Sequence, residues 1–221
     1  VAYSVFKALQ MRGLGSTLAM IRVALADKAA DKALGLLAHD FLDPRLSDPL
    51  APNVEHANYY QPVRTIPFRT LMKELKPDPC IGFVDVGAGT GKAMLLAAEY
   101  GFRSVRGVEL AASLCEDAKK NFAKFAGKHP HAKLEISQGD ALAFPLREHD
   151  RFFFLNDPFS EEVFAPFIER LREHRRSAQG ELTLVYKNNN LRNIPSLKAL
   201  RKTAEFSCRD YSGNFFEIYR F

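Results

Sequence analysis

Hydrophobic positions change their spacing twice along this 221-residue chain. Over residues 1–38 the apolar Leu18, Ile21, Leu25 and Ala29 recur at steps of three and four, the period of one helix face. Gly13 and Gly15, followed by Ser16 as a candidate N-cap, predict two helices with a break between them. Arg12, Arg22, Lys28 and Lys32 fall around the polar side, so the helices are expected to cover the main domain, with contact to a membrane surface or partner as the alternative. From Asp40 to Pro67, Pro44, Pro49, Pro52, Pro62 and Pro67 exclude long regular structure and predict an ordered connecting loop. Within it, Asn58-Tyr59-Tyr60-Gln61-Pro62 sets amide and aromatic groups on a segment that a core does not need. Residues 66–76 return to helical spacing and stop before Pro77.

From residue 80 short apolar runs alternate with amphipathic segments, the pattern of parallel β-α units. Strands are predicted at Ile81–Val86, Ser104–Glu109, Lys133–Ser137, Arg151–Leu155 and Glu181–Tyr186, and helices over 91–100, 112–126, 160–174 and 195–202. Glu205–Tyr211 and Phe215–Phe221, about Ser212-Gly213-Asn214, predict a terminal hairpin that adds an antiparallel edge. The organisation expected is an N-terminal helical extension and proline-rich connector over residues 1–54, then one α/β domain over 55–221.

Composition narrows the classes. Hydrophobic residues make up 47% and charged residues 26%, ordinary globular usage that excludes collagenous and disordered chains. The longest apolar run, Ala93–Ala98, is far short of the roughly 20 residues that cross a bilayer, so no transmembrane segment is expected. Cys80, Cys115 and Cys208 are odd in number and lack metal-ligand spacing, which points to a reduced, cytoplasmic setting and no metal site. The net charge of +5 is carried by the two ends of the chain, which permits a nucleic-acid partner without indicating one.

The sharpest chemical signal is Phe83-Val84-Asp85-Val86-Gly87-Ala88-Gly89-Thr90-Gly91-Lys92, an apolar strand running into a glycine turn and a helix. Glycines there let the chain turn tightly and let a ligand approach the main chain. A dinucleotide fingerprint would need glycine at position 92, which is Lys, and a Walker loop would need Ser or Thr at 93, which is Ala. NAD and ATP are both disfavoured. Glu109 ends the next strand, where a carboxylate can accept the two hydroxyls of an adenosine ribose. Gln138-Gly139-Asp140-Ala141 places another acid one strand later, in reach of an adenine amino group. Three acids at successive strand ends, with no provision for phosphate, follow the logic of S-adenosylmethionine binding.

Through Val84–Gly91, Gly107-Val108-Glu109-Leu110 and Gly139-Asp140-Ala141 the chain resembles the class I, seven-strand Rossmann-like methyltransferases over about residues 55–221. More narrowly it is similar to a bacterial group distantly related to the non-SET lysine methyltransferases, with a Tyr-x-Pro segment before the glycine loop and an Asn-Pro-Phe after strand four. The resemblance implies a doubly wound sheet of order 3-2-1-4-5-7-6 with strand seven antiparallel. It also implies that Asp85 and the loop Gly87, Ala88, Gly89, Thr90 and Gly91 hold the methionine part, Glu109 the ribose, and Asp140 with Ala141 the adenine.

The fourth strand ends in Asn156-Asp157-Pro158-Phe159. In related amino-methylating enzymes an Asn or Asp before Pro and an aromatic accepts hydrogen bonds from the target nitrogen with its side chain and a nearby carbonyl, and the aromatic supplies an apolar face. Here Asp157 stands before Pro, preceded by Asn156, which leaves open which side chain faces the substrate. The same residues would also cap the following helix. Tyr59, Tyr60 and Tyr186 are candidate substrate-side residues. The function expected is methyl transfer from S-adenosylmethionine to a protein lysine nitrogen; the alternatives are a nucleic-acid amino-methyltransferase and a non-catalytic cofactor-binding module.

Overall fold

A computed structural model describes residues 2–36, 42–127, 130–177, 180–187, 194–200, 202–207 and 215–221. Seven strands, β1 (Gly82–Val86), β2 (Ser104–Glu109), β3 (Lys133–Gln138), β4 (Asp150–Leu155), β5 (Thr183–Lys187), β6 (Lys202–Ser207) and β7 (Phe215–Arg220), form one sheet of order β3-β2-β1-β4-β5-β7-β6. Neighbours from β3 to β5 pair parallel, and β7 pairs antiparallel with both β5 and β6. The parallel β-α units and antiparallel edge expected from the strand pattern, and the Rossmann-like, doubly wound order that the resemblance implied, are therefore present. Glu205–Tyr211 was expected as a strand, but β6 begins earlier, at Lys202, and the short helix before it ends at Lys198 rather than at 202. The hairpin turn at Ser212-Gly213-Asn214 and Cys208 lie outside the described residues.

The inner strands are buried on both faces, which is why they read as continuous apolar runs. Alternation sorts their side chains between two cores. Phe83, Phe152 and Phe154 join Phe68 and Phe102 on one face, where the Phe83 and Phe152 rings stack at 5.4 Å. On the other face Val84, Val86, Phe153 and Leu155 pack with Phe164 and Phe167 of a later helix. The helices are α1 (Ala2–Leu34), α2 (Pro44–Ser47), α3 (Thr65–Leu75), α4 (Lys92–Tyr100), α5 (Ala112–Ala126), α6 (Glu161–Ser177) and α7 (Pro195–Lys198). α3 stops where Lys76 turns left-handed at φ 46°, with Pro77 next.

The N-terminal segment departs from expectation twice. α1 is one helix, not two, because Gly13 and Gly15 accept right-handed helical geometry at a cost of about 1 kcal/mol each and nothing forces a break. Its inward face is also not the leucine face. Leu18 and Leu25 are exposed, whereas Thr17, Asp27 and Leu34 are buried. Asp27 accepts the backbone N–H of Ile66 at 3.0 Å, capping the first turn of α3. Asp31 accepts the Thr65 hydroxyl at 2.7 Å and holds the Lys92 ammonium at 2.7 and 2.9 Å. α1 is thus pinned by carboxylates to α3 and to α4, the helix that follows the glycine turn.

The Lys92 side chain is only 7% exposed, so removing its partner leaves a buried charge. Asp31→Ala should cost roughly 2–4 kcal/mol in urea unfolding, and Asp31→Ala with Lys92→Met should recover most of that loss, since an apolar pair carries no stranded charge. Equal losses in the single and double variants would show that the ion pair does not hold α1.

Candidate active site

β1 and β4 are neighbours whose onward connections run to opposite sides of the sheet, so a crevice opens between their tips. The turn after β1 forms one lip. Gly87, Gly89 and Gly91 all have positive φ, of 75°, 55° and 75°, a region that L side chains rarely adopt. Space forbids side chains as well. A Cβ on Gly87 would lie 2.5 Å from Pro158 Cβ, one on Gly91 would meet the Phe122 ring at 2.5 Å, and one on Gly89 would lie 2.0 Å from Cε2 of the Tyr60 ring. The turn is closed from three sides by the β4 tip, by α5 and by the connector.

Glu109, at the tip of β2, is buried and aimed at this turn. Its Oε2 accepts the Gly89 N–H at 2.7 Å and its Oε1 accepts the Ala111 N–H at 2.9 Å. Burial raises its pKa, and the backbone donors pull it part of the way back. Asp85 is 2% exposed at the end of β1. Burial first, and the Glu109 charge second, push its carboxyl well above the ordinary carboxylate range. Thr90 accepts the Asn121 amide on its carbonyl at 3.0 Å, and its hydroxyl lies 2.9 Å from that of Tyr60. Ala88 is 6% exposed and packs in the core face beneath the turn. Beyond β3, Asp140 closes its own turn by accepting the Leu142 N–H at 2.9 Å, and Arg170 clamps the carbonyls of Ala141 and Phe144 at 2.7 Å each.

The proline-rich connector forms the roof of the crevice. Short bridges tie Leu42 to Tyr60 and Ala57 to Phe159, and Asn58 N–H donates to the Pro158 carbonyl at 2.9 Å. Asn53 donates to Asp140 Oδ2 at 2.7 Å. The expected boundary between residues 54 and 55 falls inside a 3-10 turn of this roof, Val54–His56. Under the roof lies an open cleft whose space, mouth included, is about 690 Å³. Gly87, Glu109, Asp140, Ala141, Asn156, Asp157, Pro158, Phe159, Tyr59 and Tyr60 all line it. Asp85 lines a smaller adjoining recess with Tyr60, Ala88 and Asn156.

At the β4 tip the two candidate side chains take different directions. Asn156 Nδ2 donates to the Gln61 carbonyl at 2.6 Å, toward the roof. Asp157 is 4% exposed with φ 49°, a left-handed conformation that costs a non-glycine residue about 1 kcal/mol or more and persists only when its surroundings hold it. Tyr186 and Asn58 do so. The Tyr186 hydroxyl donates to Asp157 Oδ1 at 2.7 Å, and Asn58 Nδ2 donates to the same oxygen at 3.2 Å and to the Asp157 carbonyl at 2.9 Å. Tyr186 is itself fully buried against Phe164, so it reaches the cavity only through this carboxylate rather than on the substrate side. Phe159 is 7% exposed and packs on Phe164 and Phe167. Tyr59 is 51% exposed at the mouth, beneath the Arg45 guanidinium at 4.8 Å. Tyr60 lies on the glycine turn, and burial pushes its hydroxyl up to about 12. Lys187 follows Tyr186 on β5; burial and Arg64 push its ammonium down to about 8, against the pull of Asp157.

Residue-by-residue reading missed Asn53 and Asn58. The amide-and-aromatic run 58–62 was the available signal for Asn58, while nothing local marked Asn53. Among the described residues the cavity lining holds the carboxylates of Glu109, Asp140 and Asp157 and no Lys, Arg or His, while Lys92, paired with Asp31, lines the adjoining recess with Asp85. That set of acceptors suits a cationic, phosphate-free adenosyl ligand and is poor for a pyrophosphate.

A family model described as a methyltransferase domain matches residues 84–153, from β1 into β4. No curated protein sequence matches the chain. Among solved structures, an RNA methyltransferase from Salinibacter ruber in complex with S-adenosyl-L-homocysteine superposes with a TM-score of 0.53 at 18% identity, over 72% of this chain and 91% of its own. A ribosomal protein L11 methylase from Lactobacillus delbrueckii subsp. bulgaricus gives 0.51 at 17% identity, over 73% and 88%. At these identities the likeness is one of fold.

The ligand-free protein should carry a stability penalty from Asp85. A carboxyl whose folded pKa lies above its unfolded value is tolerated while protonated, and its burden grows as pH rises through the folded pKa. Without ligand, Asp85→Asn should therefore raise Tm by roughly 2–6 °C at pH 7–8 and by progressively less toward pH 4, by calorimetry across pH. A variant that melts lower than the parent at every pH would contradict this.

Proposed function

We propose that this chain, an S-adenosylmethionine-dependent methyltransferase by its sheet and its methyltransferase domain, transfers the methyl group to the ε-amino nitrogen of a protein lysine. The lining carries this reading: a cavity with three carboxylates and, among the described residues, no basic side chain attracts an amine and repels a phosphate backbone. A nucleic-acid acceptor would instead call for a cationic path to the cleft.

The cofactor supplies a methyl group already activated by its sulfonium, open to in-line displacement. The protein's part is to bind, to orient and to exclude water. Asp85 and the turn 87–91 take the methionine end, with Glu109 on the ribose and Asp140 with Ala141 on the adenine. Asp157 takes the acceptor. Asn58 Nδ2 marks the place, since it donates to the Asp157 carbonyl and Oδ1 together, which is how a primary amine would donate its two N–H groups while keeping its lone pair free. In this reading the incoming amine takes those two oxygens over from Asn58. Tyr186 is a positioning residue that keeps Oδ1 in place, Asn156 ties the turn to the roof through Gln61, and Phe159 walls the site.

Labelled cofactor incubated with the protein and a cell lysate should place label in protein, and hydrolysis should release methyllysine. Asp157→Ala should lower that incorporation at least 100-fold while changing cofactor affinity less than about threefold, the mark of lost acceptor alignment. Label recovered in RNA, with steep loss of affinity as salt rises, would replace lysine with a nucleic-acid acceptor. Cofactor binding with no transfer to any lysate component would leave a binding module.

Cofactor affinity should also depend on pH. A cation bound beside Asp85 and Glu109 favours their ionised forms, so below their raised pKa values binding must release a proton. Calorimetric titration should show S-adenosylmethionine affinity falling from pH 7 to pH 5, by about tenfold per pH unit once below the controlling pKa. Asp85→Asn should bind more weakly at pH 7 and lose much of that slope; an unchanged profile would remove Asp85 from the site.

A further inference from the structure

The outward face of α1 is apolar where a surface helix is ordinarily polar. Leu14, Leu18 and Leu25 are 66%, 51% and 62% exposed. At about 100° per residue these three, with the half-buried Ile21, fall within an arc of about 60°. Arg22, Lys28 and Lys32 are exposed along the same side, with Lys28 and Lys32 one to two turns further on. The acids of this part of the helix, Asp27 and Asp31, face inward, onto Ile66, Thr65 and Lys92. Charge on the helix is therefore segregated: carboxylates hold the protein, and cations flank the exposed leucines.

We infer that this face docks on an anionic lipid surface, with the leucines entering the headgroup boundary and Arg22, Lys28 and Lys32 reaching back to lipid phosphates. The stripe is convex and narrow, which suits a deformable surface, and its cations lie where long side chains bury their stems and keep their charge among headgroups. No helix of the described residues is long and apolar enough to cross a membrane, so α1 lies on such a surface and does not span it. The same helix grips Lys92 at the start of α4, so docking would hold the mouth of the cleft at a fixed distance from the lipid.

Co-sedimentation of the whole chain with vesicles tests this. Vesicles of phosphatidylcholine with one part in three phosphatidylglycerol should pellet the protein, and pure phosphatidylcholine should pellet at least tenfold less. Raising salt to about 0.5 M should weaken binding about tenfold, because the attraction falls off within a Debye length. Leu18→Glu with Leu25→Glu should abolish binding, and Arg22→Glu with Lys28→Glu and Lys32→Glu should reduce it at least tenfold. Each variant is checked for a native circular-dichroism melt, since these side chains are exposed and carry little of the fold. Failure to pellet with anionic vesicles overturns the inference, as does binding that neither set of variants changes. Light scattering that shows a dimer abolished by the leucine variants overturns it in favour of a second copy.

Discussion

Three bare Cα positions set how close the parts of this molecule approach one another. Gly87 lets Pro158 of the β4 tip sit against the β1 tip, Gly91 admits Phe122 of α5, and Gly89 lets the Tyr60 ring close on the turn. A methyl group at any of the three would push its neighbour away, and the positive φ of all three would add strain. The cleft exists because strands, helix and connector converge on a stretch of chain that is bare at three of its five positions. Its polar groups follow from that convergence: Glu109 finds the Gly89 N–H because the turn curls over the β2 tip, and Tyr60 finds Thr90 because the roof is drawn down onto it.

The second constraint is electrostatic. Glu109 is buried but holds two backbone N–H donors, whereas Asp85 is buried beside it and is raised further by its charge. Such a pair opposes folding of the free protein and favours whatever cation it binds, the usual exchange of stability for function at a site. Asp157 belongs to the same class by other means, being strained in backbone and held by Tyr186 and Asn58. The acids that anchor α1 differ in kind. Asp31 meets an ammonium directly and so contributes to stability where Asp85 detracts from it, while Asp27 caps a helix with one oxygen but is itself raised in pKa by burial, its Oδ2 without a hydrogen bond among the described residues.

Much of the domain was legible because its signals are local. Inner parallel strands read as apolar runs, and the Gly-x-Gly-x-Gly spacing together with acids at the next strand ends forecast both the crevice and its charge. What failed to show depends on contacts distant in sequence. Asn53 meets Asp140 across 87 residues and Asn58 meets Asp157 across 99, so no spacing rule connects them. Pro44 to Pro67 announced a loop, and only the fold makes it a roof. Tyr186 looked substrate-facing because it ends the strand expected at Glu181–Tyr186, yet it lies under Asp157, one layer below the cavity.

The misreading of α1 has a physical cause that bears on the whole N-terminal segment. Periodicity identifies an apolar face but not which way it points; that is normally inferred from the rule that apolar faces turn inward. Here a stronger interaction competes. Turning Leu18 and Leu25 inward would lift Asp31 from Lys92, leaving an ammonium buried without a partner, and would take the Asp27 cap from the first turn of α3. A stranded buried charge costs several kcal/mol, against about 1.5–3 kcal/mol gained by fully burying a leucine, and two leucines already half or more exposed do not clearly outweigh the loss of both anchors. The helix therefore seats by its acids and leaves its leucines outside. An apolar stripe left out for that reason stays exposed with cations along the same side, and its orientation is tied, through Lys92, to the helix that begins at the glycine turn.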